Sequence, residues 1–446
     1  MSLGYRLGVT EGVEPRRAPT TAAGEAIVEA LVEATALLLE RDGYDAMTTN
    51  AIARVAGVSI GSLYQYFGGK EALVVALARD LEARGHALAM ERAATLDFGD
   101  PRAVVRAFVS VMLDPRLGSP AARRALLLEV PPAWILDASR ATDGSVEALL
   151  VDVIGALGPA LRPARPDLMA FVAFHAVEGV VEEALLQAPE RLSDPGFRAE
   201  LLRLAWAYAA AEGARLDGAP PDAPGLEPAH DPELLARVAD EPVRRAPDGA
   251  PRAEPTTARG QASVDAILAG MLEALAARGW SGLSTRDVAR RAGVSKATLY
   301  RYFPDLRAVV AEICRRREAH GLERLGAILE ERSDDLAALS ERVVRAAVEL
   351  TPHEHSVRAA LLAQVPPRYI RGASQVVDAA LRARVAAHLA AGPEAPGRAA
   401  PPVRAFVVAH AVERVVDAAI LQRPALLDDP AFAAEITELV VRYLGV

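Results

Sequence analysis

Apolar residues recur every three to four positions along most of this chain, the spacing of one face of an α-helix. Ile27, Leu31, Ala34 and Leu38 form one such stripe. Residues 25–42 and 261–278 carry the pattern, and each segment is closed by a glycine, Gly43 or Gly279, where a helix ends. Thr20-Thr21 and Thr256-Thr257 stand before these segments, with Thr48-Thr49 and Ser284-Thr285 behind them. A hydroxyl at such a place accepts the free backbone N–H groups of a helix start. Further helices are predicted over residues 71–95, 101–113, 119–129, 133–157, 167–187 and 195–211. No run alternates with the period of two that a half-buried strand requires, so the expected fold class is all-α.

The pattern is written twice. Ala56-Gly57-Val58-Ser59 returns as Ala292-Gly293-Val294-Ser295, and Leu63-Tyr64 with Tyr66-Phe67 returns as Leu299-Tyr300 with Tyr302-Phe303, an offset of 236. Near the ends, Phe171 and His175-Ala176-Val177-Glu178 match Phe406 and His410-Ala411-Val412-Glu413 at offset 235. Between Thr48 and Phe67, 11 of 20 positions are identical to their counterparts, and between Phe171 and Leu201, 18 of 31, whereas the middle is much less alike. The period is far longer than the roughly 20–50 residues of a solenoid unit, so this is a duplicated domain. The expected organisation is a disordered arm (1–19), a first small head (20–67) and helical body (68–212), a linker with eight prolines (213–252), then a second head (253–303) and body (304–446).

Within each head, Thr49–Val55 reads as one helix, Ala56-Gly57-Val58 as a turn and Ser59–Phe67 as a second helix. Gly57 supplies the backbone freedom of a tight turn. Leu63 and Phe67 lie four apart and should pack inward, and both are unchanged in the second copy as Leu299 and Phe303. Ile60, Gly61, Ser62 and Gln65 fall largely on the other side, and all four differ there, as Lys296, Ala297, Thr298 and Arg301. A kept packing face and a varied outer face are what a helix-turn-helix with a base-reading second helix requires.

Composition narrows the class. A chain of 446 residues, 51% hydrophobic but only 5% aromatic, suits several Ala/Val/Leu-rich helical domains. The single Cys314 excludes an internal disulfide framework and fits a reducing cytoplasm. No apolar run reaches the ~20 residues of a membrane span. The net charge of −9 argues against indiscriminate nucleic-acid affinity, yet residues 251–312 sum to +3 while 1–70 sum to −2. The second head should therefore hold phosphate more strongly. No nucleophile triad, phosphate-binding glycine loop or paired-carboxylate motif stands out, so no enzyme is expected. His175 and His410 each have a glutamate three residues on, but no converging ligand set suggests a metal. Arg315-Arg316-Arg317 reads as a solvated face.

Gly43-Tyr44, Thr48-Thr49, Ala56-Gly57-Val58-Ser59, Leu63-Tyr64 with Tyr66-Phe67, and Lys70-Glu71-Ala72-Leu73 together resemble the DNA-binding region of TetR/AcrR-type transcriptional regulators. The resemblance covers residues 22–77 and 258–313 closely, and the remaining helices in length and order only. It implies three N-terminal helices for double-stranded DNA, a body with a small-molecule effector pocket and no cofactor, and a four-helix dimer interface made by the last two helices of each unit. Here 167–187 and 195–211 would pair with 402–422 and 430–444, an intramolecular pseudo-dimer. By the same resemblance Thr49, Tyr64, Tyr66 and Lys70 touch phosphates, as do backbone groups at Ser59, while Ile60, Gly61, Ser62 and Gln65 face base edges. In the second head Thr285, Tyr300 and Tyr302, with backbone groups at Ser295, take the phosphate roles, Lys296 and Arg301 read bases or phosphates, Ala297 and Thr298 stand on the same outer face, and Arg307 is a further DNA contact. The second copy departs at Leu306-Arg307-Ala308-Val309, where the lysine is lost and Arg307 sits one residue away. The pocket is expected to be apolar and to draw on Trp134, Phe171, Phe174 and His175 in the first body and Tyr369, Phe406 and His410 in the second, although aromatic residues on helices are core more often than pocket.

Two unlike recognition helices predict a non-palindromic operator for a ligand-responsive repressor, because operator symmetry mirrors protein symmetry. A flexible linker of this length spans about 35 Å, placing the halves at an effective concentration on the order of mM. The alternative is that one head is degenerate and its repeat serves as a sensing or interaction partner.

Overall fold

The computed structural model describes residues 15–114, 117–162, 165–211, 235, 238, 251–280, 282–330, 336–349, 352–391 and 397–445. Eighteen α-helices lie among them, nine per repeat. In the first repeat α1 (Ala22–Ala46), α2 (Thr49–Val55) and α3 (Ile60–Tyr66) form the head. Its body comprises α4 (Lys70–Ala94), α5 (Pro101–Met112), α6 (Pro120–Glu129), α7 (Leu136–Leu157), α8 (Pro166–Gln187) and α9 (Pro195–Ala209). The second head holds α10 (Ala258–Arg278), α11 (Thr285–Arg291) and α12 (Lys296–Tyr302). Its body holds α13 (Leu306–Glu330), α14 (Leu336–Val348), α15 (Pro352–Gln364), α16 (Pro367–Ala391), α17 (Pro401–Gln422) and α18 (Pro430–Leu444). No strand occurs among the described residues beyond an isolated bridge between Leu161 and Ala210. The fold is all-α, as the periodicity predicts.

Helix starts follow the sequence signals closely. Thr21 and Thr257 hydroxyls accept the N–H of Gly24 and Gly260, and Asp194 and Asp429 cap α9 and α18 ahead of a first-turn proline. Gly43 breaks the helical path inside α1 with φ 75°, and Gly279 closes α10 with φ 64°. Residues 133 and 134, expected as the start of a long helix, belong instead to a separate 3-10 turn, Pro132–Trp134. Trp134 N donates to Pro131 O and Ile135 N to Pro132 O, both at 3.0 Å, which closes this turn, and α7 begins only at Leu136. Within the segment expected to be linker, Leu235 and Val238 are helical and buried, and the Val238 carbonyl accepts from Arg124 Nη1 at 2.6 Å. Residues 213–234, 236–237 and 239–250 of that segment, and residues 1–14 of the expected N-terminal arm, lie outside the described residues.

One large apolar core runs through both repeats, and a smaller one sits in each head. The head cores are completed from the bodies: Leu126 and Val130 at α6 close the first, and Leu361 and Val365 at α15 close the second. The shared core is a four-helix layer of α8, α9, α17 and α18. Phe171 meets Phe432 edge-on at 6.2 Å between centroids, and Phe406 meets Phe197 at the same 6.2 Å. These are one pair of positions used twice, so the repeats pack about a pseudo-twofold axis, the signature of an isologous interface within one chain. Ion pairs Arg162–Glu435, Arg165–Asp429, Arg398–Glu200 and Arg414–Glu182 fasten its margins. Burial disfavours the Glu183 carboxylate, but Arg371 outweighs that and holds its pKa below the usual range. At the axis itself, buried Gly179 of α8 lies against its own counterpart, Arg414 of α17.

Candidate nucleic-acid interface

Each head builds its turn from the same parts. Gly57 and Gly293 take φ 69° and 64°, a region that glycine alone enters without strain. Ser59 and Ser295 are the caps of the second helix, accepting from Ser62 N and Thr298 N at 3.0 Å, so that helix begins one residue later than the predicted segment. Leu63, Phe67, Leu299 and Phe303 are fully buried, and this packing holds the helix so that its other side faces outward. Ile60, Gly61 and Gln65 are exposed, as are Lys296, Ala297 and Arg301, while Ser62 and Thr298 are half-buried. The four outward differences between the copies therefore stand on accessible surface.

Tyr64 and Tyr300 are exposed, and their hydroxyls meet Thr49 Oγ1 at 3.1 Å and Thr285 Oγ1 at 3.2 Å. The pair ties the first helix of each motif to the second and presents two hydroxyls side by side. Tyr66 and Tyr302, expected to reach phosphate, are instead buried. Their hydroxyls point at the start of α1 and α10, where a Cβ on Gly24 or Gly260 would come within 2.7 or 2.9 Å of the phenol oxygen. The two glycines make room for the rings, which therefore serve the head core.

Lys70 is held within the unit in this structure. Its Nζ donates to the Tyr44 carbonyl at 2.9 Å and lies 4.2 Å above the Tyr44 ring, while Tyr44 N donates to Glu129 Oε2 at 2.6 Å. Burial, with the Glu71 charge, raises the Tyr44 pKa far above normal, so its hydroxyl stays protonated and donates to Glu71 at 2.9 Å. The lysine thus locks the head onto α4 and α6. The second copy reaches the same end with rings: Trp280 stacks on Tyr369 at 5.3 Å, and the Arg307 guanidinium lies 4.9 Å above Tyr369. Loss of the lysine at Leu306 is a change of fastening there.

Sequence reasoning overlooked one element of this surface. Arg16 N donates to Tyr66 O and Arg252 N to Tyr302 O, both at 2.7 Å, and each guanidinium reaches the carbonyl of Tyr64 or Tyr300, at 3.3 and 3.4 Å. The chain before each head folds back along the end of its second helix and leaves an exposed arginine beside it. The repeat at offset 236 in fact extends outward to Pro15-Arg16 and Pro251-Arg252, beyond the threonines, and that identity was the available signal. On the second head, the Ser284 hydroxyl holds Asp287 below the usual carboxylate range, Arg290 pairs with it at 3.2 Å, and Lys296, Arg301 and Arg290 are exposed. Arg315 and Arg316 pair with Glu312, and Arg316 also with Asp265.

Two capped helices around a glycine turn, twice over, with an exposed outer face, lie within family-model matches that cover most of the chain. "Bacterial regulatory proteins, tetR family" matches residues 31–77 and 267–313, and "Tetracyclin repressor-like, C-terminal domain" matches 100–208 and 335–444. The chain belongs to the TetR family. It is a tandem member, with both parts of the family unit present twice. Among solved structures, a transcriptional regulator from Rhodococcus sp. Rha1 is 23% identical with TM-score 0.34, covering 41% of this chain and 94% of its own. A TetR-family regulator from Mesorhizobium loti MAFF303099, titled as putative, is 15% identical with TM-score 0.30, covering 49% and 94%. Comparison with curated proteins finds no match.

The expected pocket residues divide. Trp134 packs edge-on against Tyr44 at 5.6 Å, Phe171 and Phe406 sit in the inter-repeat core, and Tyr369 joins the Trp280 stack. These four are packing residues: the rings complete apolar cores that Ala, Val and Leu alone leave unfilled. His410 borders a cavity of about 280 Å³ in the second body, Phe174 one of about 160 Å³ in the first, and His175 one of about 220 Å³ between the repeats. No group of three or more metal-ligating side chains occurs among the described residues, and no described helix is long and apolar enough to cross a membrane.

Proposed function

We propose that the chain is a ligand-responsive transcriptional repressor whose two repeats act as an internal dimer on an operator with two unlike half-sites. The observation that carries this is the contrast on the second helix of each motif. Leu63/Leu299 and Phe67/Phe303 are identical and buried, whereas Ile60/Lys296, Gly61/Ala297 and Gln65/Arg301 differ and are exposed. Gln65 suits adenine, and Arg301 suits guanine once it leaves the neighbouring Tyr302 ring. Thr49 with Tyr64, Thr285 with Tyr300, the Ser59 and Ser295 helix starts, and Arg16 and Arg252 supply the phosphate contacts. An apolar effector in a helical body shifts the heads and releases the operator.

The charge asymmetry favours a second reading, in which only the second head grips DNA and the first acts as its structural partner. Selection from random duplex DNA with the full chain separates the two. Two unlike half-sites at least one helical turn apart support the two-headed reader, a single half-site supports the second reading, and a clean palindrome refutes both. Separate Tyr64→Ala and Tyr300→Ala changes then report each head, since these rings are exposed and their loss leaves the head core intact. Each working head should lose affinity and salt dependence together.

A further inference from the structure

The two bodies are not equivalent as receptors. The 280 Å³ cavity lies in the second body, walled by α13, α14, α16, α17 and α18. The space at the equivalent place in the first body is about 160 Å³. Specific substitutions account for the difference. Ala347 and Ala409 line the larger cavity, and their counterparts at offset 235, Met112 and Phe174, project into the smaller one. A void of roughly 150 Å³ admits a benzene ring, so the second body has room for about twice that and the first does not.

The polar end of the larger cavity also differs in sign. Arg382 Nη1 donates to His410 Nε2 at 2.9 Å, and His410 Nδ1 faces Glu413 Oε2 at 3.2 Å. In the first body the counterpart of Arg382 is Glu147, whose Oε1 lies 3.3 Å from His175 Nε2 and whose other oxygen pairs with Arg423. Arg382 is half-buried, lies 5.8 Å from the Phe406 ring, and has no carboxylate partner among the described residues. A guanidinium carries five N–H donors in a fork that matches a carboxylate, and among the described residues His410 is the one side chain that Arg382 is hydrogen-bonded to. Half-burying such a cation against an apolar wall is unfavourable until an anion joins it.

We infer that each chain takes a single effector, a small apolar monocarboxylic acid whose carboxylate meets Arg382 beside His410 and whose apolar part fills the second body. This rests on the ligand-responsive reading above and adds the stoichiometry, the repeat and the chemical class. The internal dimer would then be governed by one ligand, not two.

Calorimetric titration of the full chain without DNA tests it, with octanoate as probe and 1-octanol and octylamine as neutral and cationic counterparts. The expected result is one octanoate per chain, bound at least tenfold more tightly than octanol, with octylamine excluded. Arg382→Gln should remove the advantage of octanoate over octanol while leaving octanol binding unchanged. Ala409→Phe, which copies the first body, should abolish binding of both with helical content retained. Two equivalents per chain, octanol equal to octanoate, undiminished octanoate binding by Arg382→Gln, or no binding of either probe at millimolar concentration would each overturn the assignment. Because DNA is absent, these failures leave the operator reading untouched. Octanoate that binds but leaves operator affinity unchanged would instead refute the ligand-responsive reading and keep the site.

Discussion

Gly179 and Arg414 occupy one position of the duplicated unit and face each other across the pseudo-twofold axis. A Cβ added to Gly179 would fall well inside contact distance of the Arg414 Cβ and Cγ, where carbon pairs normally keep about 3.5–4.0 Å. The Arg414 Cβ is fixed to its main chain and cannot rotate away, so Gly179→Ala must push α8 from α17. Overpacking of this kind costs ~1–3 kcal/mol, and the rigidity of both atoms places the clash at about 2–3. Alanine gains about 0.5–1 kcal/mol over glycine inside a helix, which leaves a net loss of about 1–2 kcal/mol. In an Arg414→Gly background the clash disappears and the sign should reverse, with Gly179→Ala stabilising by about 0.5–1 kcal/mol. Urea unfolding of the four proteins of this cycle, followed by far-UV circular dichroism, measures a coupling of about 2–3 kcal/mol, and the cycle cancels the lost Arg414–Glu182 pair. The argument fails if Gly179→Ala has the same effect, within about 0.5 kcal/mol, in both backgrounds.

Three further outcomes follow from the fastening of heads and halves. Lys70→Ala should destabilise the first head by about 1–2 kcal/mol, through the lost Tyr44 carbonyl bond and ring contact, as read by its denaturation midpoint; unchanged stability with a shallower salt dependence of DNA binding would restore the phosphate role. Burial disfavours the Glu200 carboxylate, but Arg398, the Tyr443 hydroxyl and Ala399 N outweigh that and lower its pKa. Its contribution is therefore present above the unfolded value of about 4.3 and lost as pH falls through the lower folded value, and Glu200→Gln should flatten the acid limb of a stability–pH curve. Burial pushes the Cys314 thiol up to about 12, so a thiol reagent at pH 8 should label it only after urea is added, and rapid labelling of the native chain would contradict its place in the second head core.

Caps, glycines and the register of the duplication made the helices legible before any coordinates, because those signals act within a few residues. Thr49–Val55 needed only Thr48 and Gly57 to be bounded correctly. The surroundings of Tyr66 and Lys70 were not legible for one reason: both lie beside the outer face of the second helix, and sequence shows adjacency but not which way a side chain turns. Tyr66 turns inward because Gly24 lies 42 positions upstream across the head, and Lys70 folds onto Tyr44. The expected pocket aromatics divided for the same reason, since only packing decides whether a ring fills a core, as Phe171 and Phe406 do, or borders a space, as Phe174 does. Ala409 and Ala347 were invisible as cavity formers because the signal there is the absence of bulk, legible only against Phe174 and Met112 once the two bodies are aligned.

Arg368, at the first turn of α16, reaches out of its own repeat: its guanidinium pairs with Asp45 at 2.7 Å and Glu129 at 3.3 Å, the latter also holding Tyr44 N of the first head. The matching position in the first repeat is Ala133, which has no charge to offer in return. Fourteen residues further along the same helix, about 21 Å away, stands Arg382 at the cavity. A continuous helix therefore runs from the cavity of the second repeat to the contact with the head of the first. The two halves share one architecture, yet this ion-paired contact exists at only one of the two matching places, so a shift at the cavity wall of the second repeat would be felt first at the head of the first.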